Sequence, residues 1–343
     1  MISVETSHQG SPLILEHTLP AKSKSQLRCR ASGELAEWLT NSGGSLAITT
    51  YTAGKVVLVS SIEGRLHFLT RKFPRPMGMA ICGNRIALAA RQQVLLFQRN
   101  NSPTAAFTLR RKYDTGKVDA HDVAFGERGV YFANTKFNAI ARVSPNKRFV
   151  HCWQPWFIDG VIRGDRCHLN GLGMRDNRPA LATAFCATGQ AGGWREQDRF
   201  SGGVVLDVQK NTIIADGLCM PHSPRWHNQR WWLCNSGHGL LSTLDSHTGQ
   251  CTEVCALPGF TRGLCLVDDH ALVGLSKIRH KHVLDAPPVR ERHKKIVAGV
   301  ALVDLQSGRM TGKLEFINGG SEVYEVLFLP KIRKPAIRTK LST

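Results

Sequence analysis

A strand–turn–strand unit recurs along the chain, and this repeat constrains the fold more than any other feature of the sequence. Each copy has a short run rich in aliphatic and aromatic residues, a turn that contains Gly, Asn or Asp, and a second such run. YEVLFLP, near the C-terminus, matches the first half of the unit. The full copies are PMGMAICGNRIALAA, HDVAFGERGVYFANT, NGLGMRDNRPALATA, HSPRWHNQRWWLCNS and RGLCLVDDHALVGLS.

The spacing of the copies is that of a propeller blade, which needs about 40–50 residues for four strands and their turns. The longest interval, between the last two starts, contains a basic loop at residues 277–296. The sequence therefore predicts an all-β fold, a single six-bladed β-propeller; a β-sandwich would not explain the repeat. The aligned starts are Met77, His121, Asn170, His222, Arg262 and Tyr324.

The last copy contributes only one strand, while three strand-like runs, SLAITTY, KVVLVSS and RLHFLTRKF, precede the first copy. We predict that these N-terminal strands complete the C-terminal blade, which would close the ring and protect its edges. The predicted organisation is an N-terminal extension at residues 1–37 with a short helix near 33–40, a propeller at 38–330 and a basic tail at 331–343.

Equivalent positions of the innermost strands should form a ring around the central channel. The aligned starts are mostly polar, whereas a packed core would carry Val, Leu or Ala. Two residues earlier, on the same face by the period of a strand, come Arg75, Asp119, His168, Met220, Phe260 and Glu322. We therefore expect His121, His168 and His222 to converge.

Three imidazoles and an open position for water are the ligand set of a catalytic zinc site. Zinc or iron suits nitrogen ligands, whereas calcium, the less favoured ion here, would prefer oxygen atoms. The sequence thus predicts a divalent metal at the three histidines. No nucleotide cofactor is expected, because there is no P-loop and no G-x-G-x-x-G after a strand. The alternative is that these residues hydrogen-bond one another and ordered water.

Metal-bound water could act with Arg262, which would hold an anionic group, and with Tyr324 as acid or base. The predicted catalytic residues are Tyr324, Arg262, Glu325 and Asp122. The predicted ligand-binding residues are Asn170, Arg225, Asn235, Arg75 and Trp194, the last in a Gly-rich loop at 189–203 that could roof a pocket.

Two classes of function follow from this channel. The first is a metal-dependent lyase or hydrolase that acts on a small anionic substrate. The alternative is a non-catalytic propeller that binds a peptide, glycan or protein partner at the mouth of the ring. In either case the expected partner is a small-molecule or peptide ligand in the central channel.

The chain carries 45 Lys and Arg against 26 Asp and Glu, a net charge of +19. Much of the excess lies in the loop at 277–296 and the tail at 331–343, which we interpret as solvated segments; weak binding of nucleic acid or acidic lipids is the alternative. The ten cysteines contain no C-x-x-C pair and indicate reduced thiols. No apolar run approaches the roughly 18 residues of a membrane span and no secretory pattern is present, so a cytoplasmic protein is expected.

A series of ordered motifs resembles the uncharacterised bacterial family TIGR03032, which is related to the domain of unknown function DUF4915. The resemblance runs from about Trp38 to Pro330 and implies a propeller-like protein without an established activity. The chain departs from the family pattern at Leu240, where an acidic residue is expected, and at Ala120, where a larger aliphatic residue is usual. The motifs are TTYTAGK, RPMGMA, HDVAF, RCHLNGLGM, GGW, MPHSPRW, NSGHG, GFTRGL and VYEVLFLP.

Overall fold

The structure, a computed structural model, describes residues 14–15, 27–101, 106–278 and 285–341. Within these ranges the strands form six sheets, each built around four antiparallel strands. The predicted all-β fold, a single six-bladed β-propeller, is confirmed. We number the blades from the first copy of the repeat.

The strands follow the aliphatic and aromatic runs of the sequence, and the turns fall at Gly, Asn and Asp. Before blade one the chain forms β1 (Ile14–Leu15), β2 (Arg28–Gly33), helix α1 (Leu35–Asn41), β3 (Ser45–Thr50), β4 (Lys55–Ile62) and β5 (Arg65–Lys72). Blade one contains β6 (Met79–Cys82), β7 (Arg85–Ala90), β8 (Gln93–Gln98) and β9 (Phe107–Asp114). Blade two contains β10 (Ala120–Gly126), β11 (Gly129–Asn134), a 3-10 turn (Thr135–Phe137), β12 (Ala139–Arg142) and β13 (Val150–Trp153).

The remaining blades repeat this order. Blade three contains β14 (Gly171–Arg175), β15 (Arg178–Ala184), a 3-10 turn (Gly193–Arg195), β16 (Gly203–Asp207) and β17 (Thr212–Leu218). Blade four contains β18 (Pro221–His227), β19 (Arg230–Asn235), a 3-10 turn (Ser236–His238), β20 (Leu240–Leu244) and β21 (Cys251–Ala256). Blade five contains β22 (Phe260–Val267), β23 (His270–Ser276), helix α2 (Pro287–Arg292), β24 (Gly299–Asp304) and β25 (Arg309–Asn318); β26 (Val323–Leu329) and β27 (Ile337–Leu341) follow.

Blade six is assembled from the two ends of the described chain. Its innermost strand, β26, pairs antiparallel with β3, which is followed outward by β4 and β5. The prediction that N-terminal strands complete the C-terminal blade is therefore confirmed.

Both terminal segments also pair with the blades next to blade six. β2 joins the outer edge of β25 in blade five, and β27 runs parallel to β9 at the outer edge of blade one. Strands of the propeller thus extend beyond the predicted limits of residues 38–330. The predicted helix near 33–40 corresponds to α1.

Apolar side chains fill the space between neighbouring blades. Inner strands are buried on both faces, so they read as continuous apolar runs rather than as alternating patterns; every residue of β26 is buried. Some innermost strands approach so closely that only glycine fits. A Cβ atom on Gly171 would overlap the Thr183 hydroxyl and lie 2.6 Å from Cδ of Pro224 in the next blade.

We expect the substitution Ile337→Ala in β27 to lower the free energy of unfolding by about 2–4 kcal/mol, because Ile337 is 1% exposed and packs in one cluster with Phe107. Urea unfolding followed by tryptophan fluorescence measures this change. The control is Ile317→Ala, since Ile317 is 41% exposed and its loss should change stability by less than about 0.5 kcal/mol. Equal small effects of the two substitutions would show that β27 is not docked.

Candidate functional site

A cavity of about 420 Å³ opens at the mouth of the ring where the innermost strands begin. Six of the twelve predicted site residues line it, and the other six lie elsewhere. The residues in the lining are His121, His168, His222, Arg262, Tyr324 and Trp194.

His121 is held by two oxygen atoms of its own blade. Its Nδ1 lies 2.9 Å from the carbonyl oxygen of Asp119 and 2.7 Å from the hydroxyl oxygen of Thr135. The Thr135 hydroxyl donates to the carbonyl of Leu169, so both oxygens accept from the imidazole. This network assigns the proton to Nδ1 and leaves a lone pair on Nε2.

His222 repeats this arrangement in blade four. Its Nδ1 lies 2.9 Å from the carbonyl of Met220 and 2.9 Å from the hydroxyl of Ser236. As for His121, the carbonyl belongs to the residue two positions earlier and the hydroxyl to the residue fourteen positions later. The residues whose carbonyls accept these bonds, Asp119 and Met220, both have a left-handed backbone with φ of 50°. The shared geometry makes Nε2 of His222 a hydrogen-bond acceptor as well.

Asn170 occupies the equivalent position in blade three. Its amide donates to the carbonyl of His168, which has φ of 53°, and its oxygen accepts from the Thr183 hydroxyl at 2.7 Å. Both ends of the Asn170 side chain are therefore engaged by the blade, and Asn170 is absent from the cavity lining. The predicted ligand-binding role of Asn170 has no support in this geometry.

His168 is oriented by a carboxylate rather than a carbonyl. Its Nδ1 donates to Oδ1 of Asp165 at 2.9 Å, and Lys136 donates to Oδ2 of the same carboxylate at 3.0 Å. Burial alone would raise the pKa of Asp165, but His168 and Lys136 outweigh it and hold that pKa far below its ordinary value. Trp194 stacks on the His168 ring, with 4.3 Å between ring centroids.

Sequence reasoning missed Asp165 and Lys136, which both line the cavity. Each lies in a connection outside the aligned repeat, so the ring alignment could not find them. The spacing of Asp165 three residues before His168 was the available signal.

The three histidines do not form a common ligand set. Phe185 lies between two of them, with ring centroids 4.5 Å from His168 and 5.4 Å from His222. Among the residues that the structure describes, no group of three or more His, Cys, Asp or Glu side chains is spaced to hold a metal ion. The residues do not fit the predicted zinc or iron site at His121, His168 and His222, and this site stays a prediction that the geometry does not support.

Burial, reinforced by nearby cationic groups that include Arg262, lowers the pKa of His121 and of His222 well below the ordinary value. Both imidazoles are therefore neutral at pH 7. Neutral rings with Nδ1 protonated present acceptors to the cavity.

Arg262 and Tyr324 form the opposite side of the cavity. The guanidinium carbon of Arg262 lies 3.3 Å from the centroid of the Tyr324 ring. The Tyr324 ring also packs edge-on against the ring of His121, with 5.5 Å between the two ring centroids. Burial raises the pKa of Tyr324 well above its ordinary value, so the phenol stays protonated and cannot serve as a base near pH 7. Of the roles predicted for Tyr324, the one that its raised pKa favours is that of a hydrogen-bond donor.

Three of the lining side chains carry buried polar atoms that have no hydrogen-bond partner within the described residues. These atoms are Nε2 of His222, Nη2 of Arg262 and Nε1 of Trp194. Such atoms are rare in folded proteins, because an unpaired buried polar group costs about 1–3 kcal/mol. Three side chains of the cavity lining thus carry one acceptor and two donors that are unpaired, and one of the donors is cationic.

Outside the cavity lining, Arg225 bonds to two buried carboxylates, those of Asp122 and Glu325. Nη1 of Arg225 is 2.9 Å from Oδ2 of Asp122, and Nη2 is 2.9 Å from Oε2 of Glu325. Burial alone would lower the pKa of Arg225, but the two carboxylates raise it above its ordinary value. Burial and Asp122 raise the pKa of Glu325 to about 8. None of the three lines the cavity, so the roles predicted for them at a ligand stay predictions, and their contacts here are structural.

The same guanidinium also donates to three backbone carbonyls. These belong to Leu172 in blade three, Pro224 in its own blade and Leu264 in blade five. With Asp122 of blade two and Glu325 of blade six, Arg225 therefore contacts five of the six blades.

The two remaining predicted residues lie outside the cavity lining. Asn235 precedes a 3-10 turn, and its side-chain oxygen accepts the backbone N–H of Cys219 at 2.8 Å. Arg75 is exposed above the ring of Tyr51, with its guanidinium carbon 5.3 Å from the ring centroid. Tyr51 lines the cavity, so Arg75 belongs to its rim.

These features define a class: a six-bladed β-propeller with a polar and aromatic pocket at one mouth. The family model of the domain of unknown function DUF4915 matches residues 33–338, and the chain belongs to this family. The finer resemblance to TIGR03032 stays a prediction. No curated protein matches the sequence.

One solved structure resembles the chain at the level of the fold, and a second gives a lower score. A chain from the crystal structure of a nidogen/laminin complex superimposes with a TM-score of 0.51 at 9% identity, covering 84% of this chain and 99% of that one. The WD40 domain of Neurospora crassa Pan2 gives a TM-score of 0.42 at 12% identity, covering 70% and 65%. In the described part of the chain, no helix has the length and apolar character needed to cross a membrane.

We expect the stability of the protein to fall between pH 6.5 and 8, since Glu325 holds a proton in the folded state that its unfolded form, with an ordinary pKa of 4.5, releases. This contribution is complete below the unfolded pKa and is lost as the pH rises through about 8. The substitution Glu325→Gln should flatten that slope, by up to about 1.4 kcal/mol per pH unit. Urea unfolding at a series of pH values measures this slope. The control, Glu315→Gln, alters another buried carboxylate and should keep the wild-type slope. If Glu325→Gln also kept the wild-type slope, Glu325 would not be the group that titrates.

Below pH 6.5 the opposite dependence is expected from His121 and His222. Their pKa values are lowered on folding, so the unfolded chain takes up protons first and stability is lost as the pH falls. The double variant His121→Asn/His222→Asn should lose less stability between pH 6.5 and 5, because Asn170 shows that an amide makes equivalent bonds without titrating. The control is His247→Asn, in an exposed turn, which should keep the pH profile of the wild type. A double variant with the same pH profile as the wild type would contradict the prediction.

Proposed function

We propose that this protein binds a small anionic molecule that carries hydroxyl groups, in the pocket at the mouth of its propeller. The observation that carries the proposal is the set of unpartnered buried atoms on His222, Arg262 and Trp194. Because such atoms destabilise the protein while they stay unpaired, a ligand that satisfies all three gains binding free energy from each.

The chemistry of these atoms defines the ligand. Nη2 of Arg262 would bind an oxygen of a carboxylate or phosphate in a charge-assisted hydrogen bond. Nε1 of Trp194 can only donate, so it requires a second acceptor on the ligand. Nε2 of His222 is an acceptor and requires a ligand O–H or N–H. An acid with at least one hydroxyl group meets these three requirements.

Flat apolar surfaces complete the pocket. Phe185, Phe260 and Tyr51 line it together with Trp194, and faces of this kind cover the C–H surfaces of a ligand. The cavity of about 420 Å³ falls within the range of small-molecule sites, about 300–1,000 Å³. A hydroxy acid or an acidic sugar of one ring fits this volume.

The alternatives rank behind small-molecule binding. A metal-dependent lyase or hydrolase stays a prediction, since the histidines lack the spacing for a metal. Non-catalytic binding of a peptide, glycan or protein at the mouth would engage exposed rim residues such as Arg75. The unpartnered atoms are buried, which favours a ligand group that enters the cavity.

Thermal denaturation with a panel of probes tests the proposal. Glucuronate, gluconate, tartrate and glucose 6-phosphate should raise the melting temperature in at least one case, whereas glucose and glycerol at the same concentration should not. We expect Arg262→Gln to abolish the shift, and Arg128→Gln, at an exposed position outside the pocket, to retain it. Equal shifts from charged and neutral probes, no shift with any acid, or a shift that survives Arg262→Gln would overturn the proposal.

A further inference from the structure

Strands from three distant parts of the sequence place a group of cations on the outer wall of the propeller. β5 is the outermost strand of blade six, and β27 lies on the outer edge of β9 in blade one. Nε of Arg71, in β5, donates to the carbonyl of Ile337, in β27, at 3.2 Å, which joins the two blades at this place. The resulting basic belt consists of the exposed residues Arg71, Lys72, Arg111, Lys112, Lys331, Arg333, Lys334 and Arg338.

No member of the basic belt forms an ion pair with a carboxylate in the part of the chain that the structure describes. The acidic residues on or beside these strands are Glu63, in the turn between β4 and β5, and Asp114, at the end of β9. Asp114 is engaged by the backbone N–H of Gly116 at 3.0 Å. The belt therefore keeps an uncompensated positive charge.

The basic loop at 277–296 differs in this respect. In its described part, Arg290 pairs with Asp285 at 2.9 Å, Arg292 with Glu253 at 3.1 Å and Lys295 with Glu315 at 2.8 Å. The two stretches that looked alike in sequence are thus electrostatically distinct. In the described part of the loop, three of the five Lys and Arg side chains pair with acids, whereas the tail adds its unpaired cations to those of β5 and β9.

Folding itself concentrates this charge. Lys72 lies directly opposite Lys55 across β4 and β5, and like charges at such positions are unfavourable. The apolar side chains of Ile332 and Ile337, 4% and 1% exposed, fix the tail against the core and hold its cations in place. A fixed array of cations without counter-charges suits a partner with regularly spaced anions.

The surroundings of the belt favour the phosphodiester backbone of a nucleic acid over a lipid surface. Membrane-binding surfaces combine cations with exposed apolar or aromatic side chains that insert into the bilayer. The large hydrophobic side chains that are exposed in the described structure, Trp156, Val161, Ile162, Trp226, Met310 and Ile317, all lie outside these segments. The belt also lacks an exposed aromatic platform for stacking single-stranded bases, so a duplex is the better partner.

We propose that the basic belt binds the phosphate backbone of duplex nucleic acid without reading its base sequence. The four arginines and four lysines of the belt donate to phosphate oxygens, and counterions released from the duplex drive association. This site lies on the outer wall, separate from the pocket, and does not depend on the function proposed above.

Fluorescence anisotropy with a labelled 20-base-pair DNA duplex tests the proposal over 50–300 mM KCl. Engagement of about five phosphates predicts a slope of about −4.5 in a plot of log K against log salt concentration. The variant Arg111→Ser/Lys112→Ser/Lys334→Ser/Arg338→Ser removes four cations from the belt. We expect it to weaken binding at least about tenfold at 100 mM KCl and to reduce the slope by about 2–4.

The matched control removes four exposed cations from other blades: Arg128→Ser/Lys147→Ser/Lys210→Ser/Arg230→Ser. It has the same net charge as the belt variant and should retain the affinity and slope of the wild type. Equal losses in both variants would show that binding follows net charge and would overturn the belt as a site. No duplex binding at 50 mM KCl, or binding only to vesicles of anionic phospholipid in a co-sedimentation assay, would also overturn it.

Discussion

The set of bonds that the Arg225 guanidinium makes to five of the six blades is the interaction on which the rest of the structure depends. A propeller buries apolar surface between neighbouring blades, but its channel is lined by backbone and side-chain groups that need polar partners. Arg225 meets that need for five blades at once, through Asp122, Glu325 and three carbonyls. Removing it would leave Asp122 as an uncompensated buried charge beside Glu325, which is far more costly than the loss of one hydrogen bond.

This central pairing also determines the electrostatics of the pocket above it. Asp122 and Glu325 form their ion pairs with Arg225 rather than with Arg262 at the mouth. The walls then differ in character: blades two to four contribute imidazoles tied back by their own loops, while blades five and six contribute Arg262 and Tyr324. A ligand would meet imidazole groups on one side and the Arg262 guanidinium and the Tyr324 phenol on the other.

The repeat allowed the fold, the number of blades and the closing strands to be predicted, because all of them depend on local patterns that recur. It also brought half of the predicted site residues to one cavity. The roles of Asp122 and Arg225 could not be predicted, for two physical reasons. Bulges interrupt β10 between residues 120 and 123 and β18 between 222 and 225, so the two-residue period no longer tells which side chains face the channel. Their pairing also spans 103 residues, a distance at which no local pattern carries information.

The strands that the two ends of the chain add to blades five and one have a consequence for how the molecule unfolds. At either side of blade six, the chain crosses the junction and continues as an edge strand of the neighbouring blade. Separating blade six from its neighbour thus requires two events, parting the packed faces and peeling away the terminal strand. The ring resists opening at the one blade that is not made from a continuous stretch of sequence, and its junctions are reinforced where the covalent chain leaves them weakest.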